Sequence, residues 1–367
     1  MTTTADAEPA DDSTVRIGAL VPLTRPGWAE AGRHLLAGLE LAVGDVNAAG
    51  GILGRPLELV VRDTAASPET AAAAVDELAG LGVAALAGEY HSVVARAAAT
   101  RADALGLPFL CSSAVLDALT EEPTDWVARL APAQSHGWRL YADFLLGAGH
   151  RRIAVAADSS LYWASGTRIL RERLAAGGGT LIELSLSALT PAAVCDQVAG
   201  ARATALLLLA GYPEPAVSIV AGVRRDPRLI GITIGAPAGQ PEFAGWARLL
   251  GDDGAAIAFL RYLPEHLGPL GARVGAALCE RLAEPPSFVA FEGYDTVAVL
   301  AEALRMAGLD RDRVAGCWPR VAVEGTRGRI TFSRVPGISV WQWAWPPVHV
   351  ADRDPAEPDQ FRILPAG

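Results

Sequence analysis

The feature that most constrains this chain is a repeated alternation of short apolar strands with amphipathic helices. Four apolar runs indicate buried strands: VRIGALVP (15–22), LELVV (57–61), VAALAG (83–88) and LPFLC (107–111). Continuous apolar runs of this length are typical of parallel strands that are covered on both faces. The alternation therefore predicts a parallel sheet with helices on both sides.

The same alternation restarts after Pro132. Its strands are predicted at IAVAAD (153–158), TLIELSL (180–186), ATALLLLA (203–210) and IGITIG (230–235). With 367 residues, of which 51% are hydrophobic, the chain can fill two cores. The sequence thus predicts an α/β fold of two doubly wound, Rossmann-like lobes.

The C-terminal third changes the rhythm, because two long helices near 267–283 and 289–307 precede short strands. We expect this part to complete both lobes, which requires a hinge of three segments. Prolines that interrupt regular structure place these segments near 131–134, 260–264 and 332–337. The predicted units are lobe 1 (15–131 plus 264–332), lobe 2 (132–263 plus 333–367) and a disordered tail (1–14). Ligands of open α/β sheets bind at the carboxyl ends of the strands, so the cleft between the lobes is the predicted site.

Composition excludes several classes of function. The formal net charge is −10 and no basic run occurs, which argues against a nucleic-acid partner. The chain contains no lysine, so Schiff-base chemistry and a P-loop are excluded. The four cysteines lie far apart without the spacing of a zinc site. We therefore expect neither a cofactor nor a metal ion.

The first residues, MTTTADAEPADDST, lack the charged and apolar regions of an export signal, and no apolar run approaches the roughly 18 residues that cross a bilayer. We expect no direct membrane insertion. If the chain is complete as given, a cytoplasmic location follows. If an export signal preceded it, the protein would be exported and associated with the cell surface.

Residues 15–64 resemble the opening of the leucine/isoleucine/valine-binding family of ABC-transporter substrate-binding proteins. The similarity lies in a strand, a PLT turn, a long helix and the pattern N-AAGG-LGR-L-L-V-D. DSSLYW (158–163), AGYPEPAV (210–217) and FEGYDTVAVLAEALRMAG (291–308) extend the resemblance over roughly residues 15 to 345. It implies the type I periplasmic-binding fold, a Venus flytrap that closes on a small ligand.

The resemblance also implies which loops touch the ligand. Ser92, in the loop GEYHS, matches a serine that binds ligand in the family, although a helix cap is an equally good interpretation. Ser113 matches a second contact position. Val115 stands where amino-acid binders have a threonine, and Ala236–Pro237 stand where they have a glutamate that holds the ammonium group. These departures weaken the prediction of a branched-chain amino acid ligand, because buried charges need partners.

The loop instead resembles that of the cytosolic amide-sensing branch, in which Tyr90, Ser92 and Ser113 supply uncharged polar groups. Tyr162 and the adjacent Trp163 are expected to close over the ligand from lobe 2, and Tyr212 is a further candidate. Each aromatic residue could equally be a half-buried residue of its lobe. Glu89 would serve as an ammonium partner if its side chain turned into the cleft, as would Glu292, and His91 of the same GEYHS loop is a further predicted ligand contact.

An enzyme-like use of the same cleft is the alternative, since Glu89, His91 and Cys111 lie at adjacent strand ends and are the residue types of a nucleophilic triad. No dinucleotide, HExxH or nucleophile-elbow motif supports it. We therefore predict non-catalytic binding of a small polar ligand, such as an amino acid, an amide or a urea-like compound. The partner that reads out binding would be an ABC permease or a regulatory protein.

Overall fold

A computed structural model describes residues 13–119, 121, 123–184, 188, 190–334, 339–357 and 360–365. The predicted N-terminal tail lies outside the described residues except for its last two positions. Within the described residues, no helix is long and apolar enough to cross a membrane.

The strands of the described residues are numbered in chain order. They are β1 (Val15–Val21), β2 (Leu57–Asp63), β3 (Ala85–Gly88), β4 (Phe109–Cys111), β5 (Val127–Arg129), β6 (Arg152–Ala157), β7 (Thr180–Glu183), β8 (Ala205–Leu209), β9 (Thr233–Gly235), β10 (Phe259–Arg261), β11 (Ala322–Gly325), β12 (Gly328–Ser333), β13 (Trp341–Trp343), β14 (His349–Arg353) and β15 (Phe361–Ile363).

The α-helices follow the same numbering. They are α1 (Ala29–Ala48), α2 (Pro68–Gly80), α3 (Ser92–Ala104), α4 (Gln134–Gly147), α5 (Leu161–Ala176), α6 (Pro191–Ala201), α7 (Ala216–Arg225), α8 (Ala244–Leu250), α9 (Pro269–Leu282), α10 (Phe288–Ala307) and α11 (Arg311–Ala315).

Lobe 1 is built on a sheet with the strand order β11-β12-β13-β5-β4-β3-β1-β2. Strands β1 to β5 are parallel, as in the pairing of Ile17 with Leu59 and Ala85. Alternate residues of β1 face opposite sides, so that Ile17 and Leu20 belong to different buried clusters. Helices α1 and α10 cover one face, and α2 and α3 cover the other.

Helices α1 and α10 pack closely because both carry a glycine at their contact. A Cβ atom on Gly38 would lie 1.9 Å from the carbonyl oxygen of Ala290, and one on Gly293 would lie 2.3 Å from that of Leu35. The two backbones can therefore touch only where side chains are absent. This packing fixes the start of α10 beside α1, at the edge of the cleft.

Lobe 2 has a second parallel sheet with the order β7-β6-β8-β9. Helices α4 and α5 cover one face, and α6, α7 and α8 cover the other. A small sheet of β10, β14 and β15 packs on α4. The expected α/β fold of two doubly wound lobes is confirmed by this architecture.

One predicted boundary is wrong. The predicted lobe 2 includes residues 333–367, but β13 pairs in parallel with β5, and Phe332 of β12 pairs with Trp343, so the chain is still in lobe 1 at Trp343. The third crossing therefore lies between β13 and β14 and not at 332–337, of which 335–337 fall outside the described residues. Strand β13 is only three residues long and pairs with β5, about 210 residues earlier in the chain. Local periodicity does not reveal a pairing over this distance.

Candidate functional site

A cavity of about 320 Å³ lies between the two lobes. Its walls are formed by loops at the carboxyl ends of β3 and β4 in lobe 1 and of β6, β8 and β9 in lobe 2. The lining residues are Pro26, Trp28, Ala66, Tyr90, His91, Ser92, Val93, Val94, Ser113, Val115, Ser160, Tyr162, Trp163, Ala210, Gly211, Tyr212, Ala238, Gln240, Tyr262 and Phe288. The predicted ligand contacts among them are Tyr90, His91, Ser92, Ser113, Tyr162, Trp163 and Tyr212, whereas Glu89 and Glu292 do not line the cavity.

Glu89 holds the loop between β3 and α3 from within the protein. It is fully buried, and its Oε1 accepts the backbone N–H groups of Tyr90 at 2.8 Å and His91 at 2.9 Å. Its Oε2 accepts the Thr64 hydroxyl at 2.7 Å. The expectation that Glu89 turns into the cleft is therefore corrected: its oxygens are occupied by the loop that carries the cleft residues.

Gly88 makes this loop possible. Its φ angle is +116°, and a Cβ atom would lie 2.1 Å from the carbonyl oxygen of Leu20. Only glycine tolerates both conditions, so the chain can leave the sheet here and start α3 at Ser92. The N–H groups of the first turn of α3 then face the cavity, which Ser92, Val93 and Val94 line.

Ser92 does not cap its own helix. His91 is the N-cap residue, and the Ser92 Oγ instead accepts the backbone N–H groups of Val115 at 3.2 Å and Leu116 at 3.3 Å. These two bonds use the lone pairs of the hydroxyl, so its proton is left to donate into the cavity. Ser92 thus ties together two loops of lobe 1 and presents a hydrogen-bond donor.

Ser113 lies beside a buried carboxylate. Its hydroxyl donates to Ser112 Oγ at 3.2 Å and lies close enough to Glu292 to favour the ionised form of that carboxylate. Glu292 is fully buried, and its Oε1 accepts Arg327 Nη1 at 3.2 Å, while Arg327 Nε bonds Asp295 at 2.8 Å. Burial nevertheless raises the pKa of Glu292 to about 7.

The predicted aromatic residues of lobe 2 all reach the cavity. Tyr162 and Trp163 stand in the first turn of α5, where Ser160 caps the helix by accepting the Trp163 N–H at 3.1 Å. Their ring centroids are 4.7 Å apart. Burial raises the pKa of Tyr162 and of Tyr212, so both phenols are neutral donors. Tyr212 supplies a polar side chain to the cavity from the loop after β8.

Among the lining residues that the sequence patterns did not identify, four have large side chains: Trp28, Gln240, Tyr262 and Phe288. Trp28 follows the PLT turn after β1 and inserts between the lobes, with ring centroids 4.7 Å from Tyr212 and 5.5 Å from Tyr90. Gln240 follows β9, in the loop that begins with Ala236. The rule that loops at strand ends bind ligands would have identified both Trp28 and Gln240.

The predicted triad is not assembled for catalysis. Cys111 is fully buried at the end of β4, burial raises its pKa to about 12, and its Sγ lies 4.0 Å from the carbonyl oxygen of Ala114. His91 Nε2 accepts the Trp28 N–H at 3.4 Å, and its Nδ1 faces Glu89 at 3.4 Å. Among the described residues, no hydrogen bond joins His91 to Cys111.

Glu30, His34 and Glu284 bring metal-type donor atoms within 4.8 Å of one another. The Ser287 N–H donates to His34 Nδ1 at 3.0 Å, so the proton is on Nε2, which donates to Glu284 at 3.0 Å. The carboxylates of Glu30 and Glu284 also form ion pairs with the guanidinium group of Arg248. Each of the three residues of this cluster is therefore already hydrogen-bonded or ion-paired to protein groups.

Comparison with known proteins agrees with this geometry. The sequence profile of the family described as periplasmic binding protein matches residues 14–337. The Leu/Ile/Val-binding protein homolog 8 of Brucella abortus is 31% identical over 132 residues, which cover 36% of this chain and 32% of the relative. BraC3, a Leu/Ile/Val-binding protein of Rhizobium johnstonii, is 27% identical over half of this chain and 49% of its own length. The match thus spans 32% to 49% of the length of these relatives.

Solved structures show the same fold over nearly the whole chain. The leucine binding protein LivK of Thermotoga maritima has a TM-score of 0.81 with 20% identity, covering 95% of this chain and 97% of its own. A solute binding protein of R. palustris in complex with benzoate also has a TM-score of 0.81, with 18% identity and coverage of 96% and 95%. With the family profile matching most of its length, the chain belongs to the periplasmic binding protein family.

Proposed function

We propose that this protein binds a small polar ligand between its lobes and closes around it without catalysing a reaction. The observation that carries the proposal is the cavity of about 320 Å³, whose walls come from the strand ends of both lobes. Sites that bind small molecules typically have volumes from about 300 Å³ upward and combine apolar walls with few polar groups. An amino acid, an amide and a urea-like compound are the ligand classes we consider.

Non-catalytic binding is supported by the state of the possible nucleophile. A thiol with a raised pKa that is buried against a carbonyl group is inert. Labelling with a thiol reagent tests this directly: Cys279 is exposed and should react quickly, whereas Cys111 should react only after unfolding. Fast labelling of Cys111 in the folded protein at neutral pH would restore the enzyme alternative.

Uptake through an ABC permease is the output that we propose, because proteins of the same fold include an ABC transporter substrate-binding protein of Desulfitobacterium hafniense that was solved in complex with Leu. That protein is 21% identical, so the ligand is not transferred from it. Signalling to a regulatory protein partner is the other output. Measuring uptake of the identified ligand in a deletion strain separates the two.

A thermal-shift screen of amino acids, amides and urea derivatives tests binding, and small-angle X-ray scattering tests closure. A micromolar ligand at millimolar concentration should stabilise the folded protein by about 4 kcal/mol. The same ligand should narrow the distribution of interlobe distances towards the closed form. Tyr162→Ala should abolish most of the shift, and Tyr162→Phe separates the role of the ring from that of the hydroxyl. A screen in which no compound changes stability or scattering would contradict the proposed function.

A further inference from the structure

We propose that Glu292 couples closure of the lobes to the uptake of a proton, so that mildly acidic conditions favour the closed form. The inference rests on the proposed function, since closure is the motion that would enclose a ligand, and it adds a control of that motion. Glu292 lies near the start of α10, behind the wall of the cavity. Three observations support the coupling: an unbalanced buried charge, a carboxylate oxygen without a partner, and a cavity wall that lobe 2 covers.

Two carboxylates share one guanidinium group in the interior of lobe 1. Glu292 Oε1 accepts Arg327 Nη1 at 3.2 Å, and Asp295 Oδ2 accepts Arg327 Nε at 2.8 Å. All three side chains are fully buried. With both carboxylates ionised, the cluster carries one uncompensated negative charge, which is costly inside a protein. Binding of one proton removes this charge.

The hydrogen bonds assign this proton to Glu292. Asp295 is satisfied as a carboxylate, because its Oδ1 accepts the Thr326 N–H at 2.6 Å and the Thr326 hydroxyl at 2.8 Å. The Oε2 atom of Glu292 has no hydrogen-bond partner within the described part of the chain. A proton on Oε2 would find an acceptor in the nearby Ser113 hydroxyl. Burial also raises the pKa of Glu292 from its ordinary 4.5 to about 7, although Arg327 opposes this effect.

Closure changes the solvation of this carboxyl group. Ser113, Tyr90 and Tyr262 lie near Glu292 and line the cavity, so they belong to the wall in front of the carboxyl group. Tyr162 of lobe 2 comes close to Tyr90 and Tyr262 and covers this wall. When the lobes separate, water replaces lobe 2 on this side, and the cost of ionising Glu292 falls. The closed form therefore binds the proton more tightly than the open form.

The cluster also touches the segments that connect the lobes. Arg327 lies in the turn between β11 and β12, and its Nη1 is 3.5 Å from the carbonyl oxygen of Tyr262, which follows β10 on the way from lobe 2 to α9. Its guanidinium group is 5.0 Å from the ring centroid of Trp343, the last residue of β13 before the third crossing. The charge of the cluster therefore acts close to two of the connecting segments.

The titratable and charged groups that face Glu292 come from four elements. They are Asp295 of α10 itself, Arg327 of the turn after β11, Tyr90 of the loop after β3 and Tyr262 of the segment after β10. Burial raises the pKa of both phenols well above the ordinary value, so neither titrates near neutral pH. On α1, which packs against α10, His34 bonds Ser287 and Glu284 instead. The pKa of Glu284 is lowered by its bonds to His34 and Arg248, so it also stays ionised in this range.

Small-angle X-ray scattering of the full chain without any ligand tests the coupling. Between about pH 8.5 and about pH 6 the radius of gyration should fall, because the ratio of closed to open molecules should rise about three- to tenfold. Glu292→Gln keeps an acceptor for Arg327 and imitates the protonated carboxyl group, so its radius should be small at both pH values. Glu302→Gln removes a carboxylate from the same helix, away from the cavity, and should behave like the unmodified protein.

His34→Gln and His91→Gln remove histidines beside the cleft that also gain protons as the pH falls, and each should retain the transition. A radius that stays constant or rises with falling pH in the unmodified protein would overturn the inference, as would a transition that persists in Glu292→Gln. If Glu292→Gln does not fold, persistence of the transition in both histidine variants supports the inference, and its loss in either one overturns it. Because no ligand is added, the screen described above decides the proposed function independently of these outcomes.

Discussion

Arg248 of lobe 2 and Glu284 of lobe 1 form an ion pair across the rim of the cleft, with 2.8 Å between Nη1 and Oε2. The same guanidinium lies 3.5 Å from Glu30 of lobe 1, and the backbone N–H of Gly245 donates to Glu30 at 2.9 Å. These contacts join α8 of lobe 2 to the start of α1 and to the segment after α9 in lobe 1, so we expect them to be lost when the lobes separate. They stabilise the closed state independently of any ligand.

Removing this pair should favour the open state. Because the Arg248 side chain is 58% exposed, Arg248→Ala should cost the closed state only about 0.2 to 1 kcal/mol, and less at high salt. Calorimetry at low and high NaCl concentration should therefore show weaker ligand binding at low salt, with the difference from the unmodified protein shrinking as salt is added. Arg33→Ala is the control, since Arg33 also contacts Glu284 but from within lobe 1. An equal effect of both variants would contradict a role across the lobes.

Ser92→Ala should weaken ligand binding without unfolding the protein. The substitution removes the donor that faces the cavity, which costs about 0.5 to 1.5 kcal/mol of binding free energy. It also removes the acceptor for the Val115 and Leu116 N–H groups, so a small loss of stability is expected. Calorimetry and thermal melts of the same samples separate the two effects. Ser218→Ala, on α7 away from the cavity, is the control, and unchanged affinity in Ser92→Ala would remove Ser92 from the site.

Gly38→Ala should destabilise the protein, because its Cβ would overlap the carbonyl oxygen of Ala290 on α10. Overpacking of this kind typically costs about 1 to 3 kcal/mol, and here neither backbone can move aside easily. Gly44→Ala lies on the same helix, and its added Cβ would meet no atom within 4 Å, so it should be neutral or stabilise by up to about 1 kcal/mol. Urea unfolding of both variants measures the difference, and similar stabilities would show that the two helices are not locked at this glycine.

Acid should destabilise the protein in part through His34. Burial lowers the pKa of His34 below its ordinary value of 6.5, with hydrogen bonding to Glu284 opposing this effect. A histidine with a lowered pKa in the folded state binds fewer protons than it does in the unfolded chain, so its contribution to stability is lost as the pH falls below about 6.5.

His34→Gln should therefore lower stability at about pH 8, where the packing of the ring is lost, yet flatten the decline between about pH 6.5 and pH 5. One proton accounts for at most about 1.4 kcal/mol per pH unit. Chemical unfolding at a series of pH values provides the measurement. Parallel curves for the variant and the unmodified protein would show that His34 does not contribute to the decline.

Much of the fold and part of the site follow from local sequence. The apolar runs and helix caps, such as Ser67 before Pro68, specify the βα units because each depends on residues close together in the chain. Since parallel strands end at the same edge of a sheet, the loops after β3 and β4 can be assigned to the cleft from the sequence alone. The individual residues Tyr90, Ser92 and Ser113 in these loops, and Tyr162 and Tyr212 in lobe 2, are indicated by the family resemblance.

Tertiary structure decided where individual side chains point and what they meet across the lobes. Glu89 could turn into the cleft or into the protein, and the Thr64 hydroxyl, 25 residues away in the chain, holds it inside. The Gln240 side chain is oriented because its Nε2 donates to the carbonyl oxygen of Ala210, which directly follows the neighbouring strand β8. The pair between Arg248 and Glu284 and the pairing of β13 with β5 join segments that are far apart in sequence. Local patterns specify elements, whereas these contacts exist only after the lobes have packed and met.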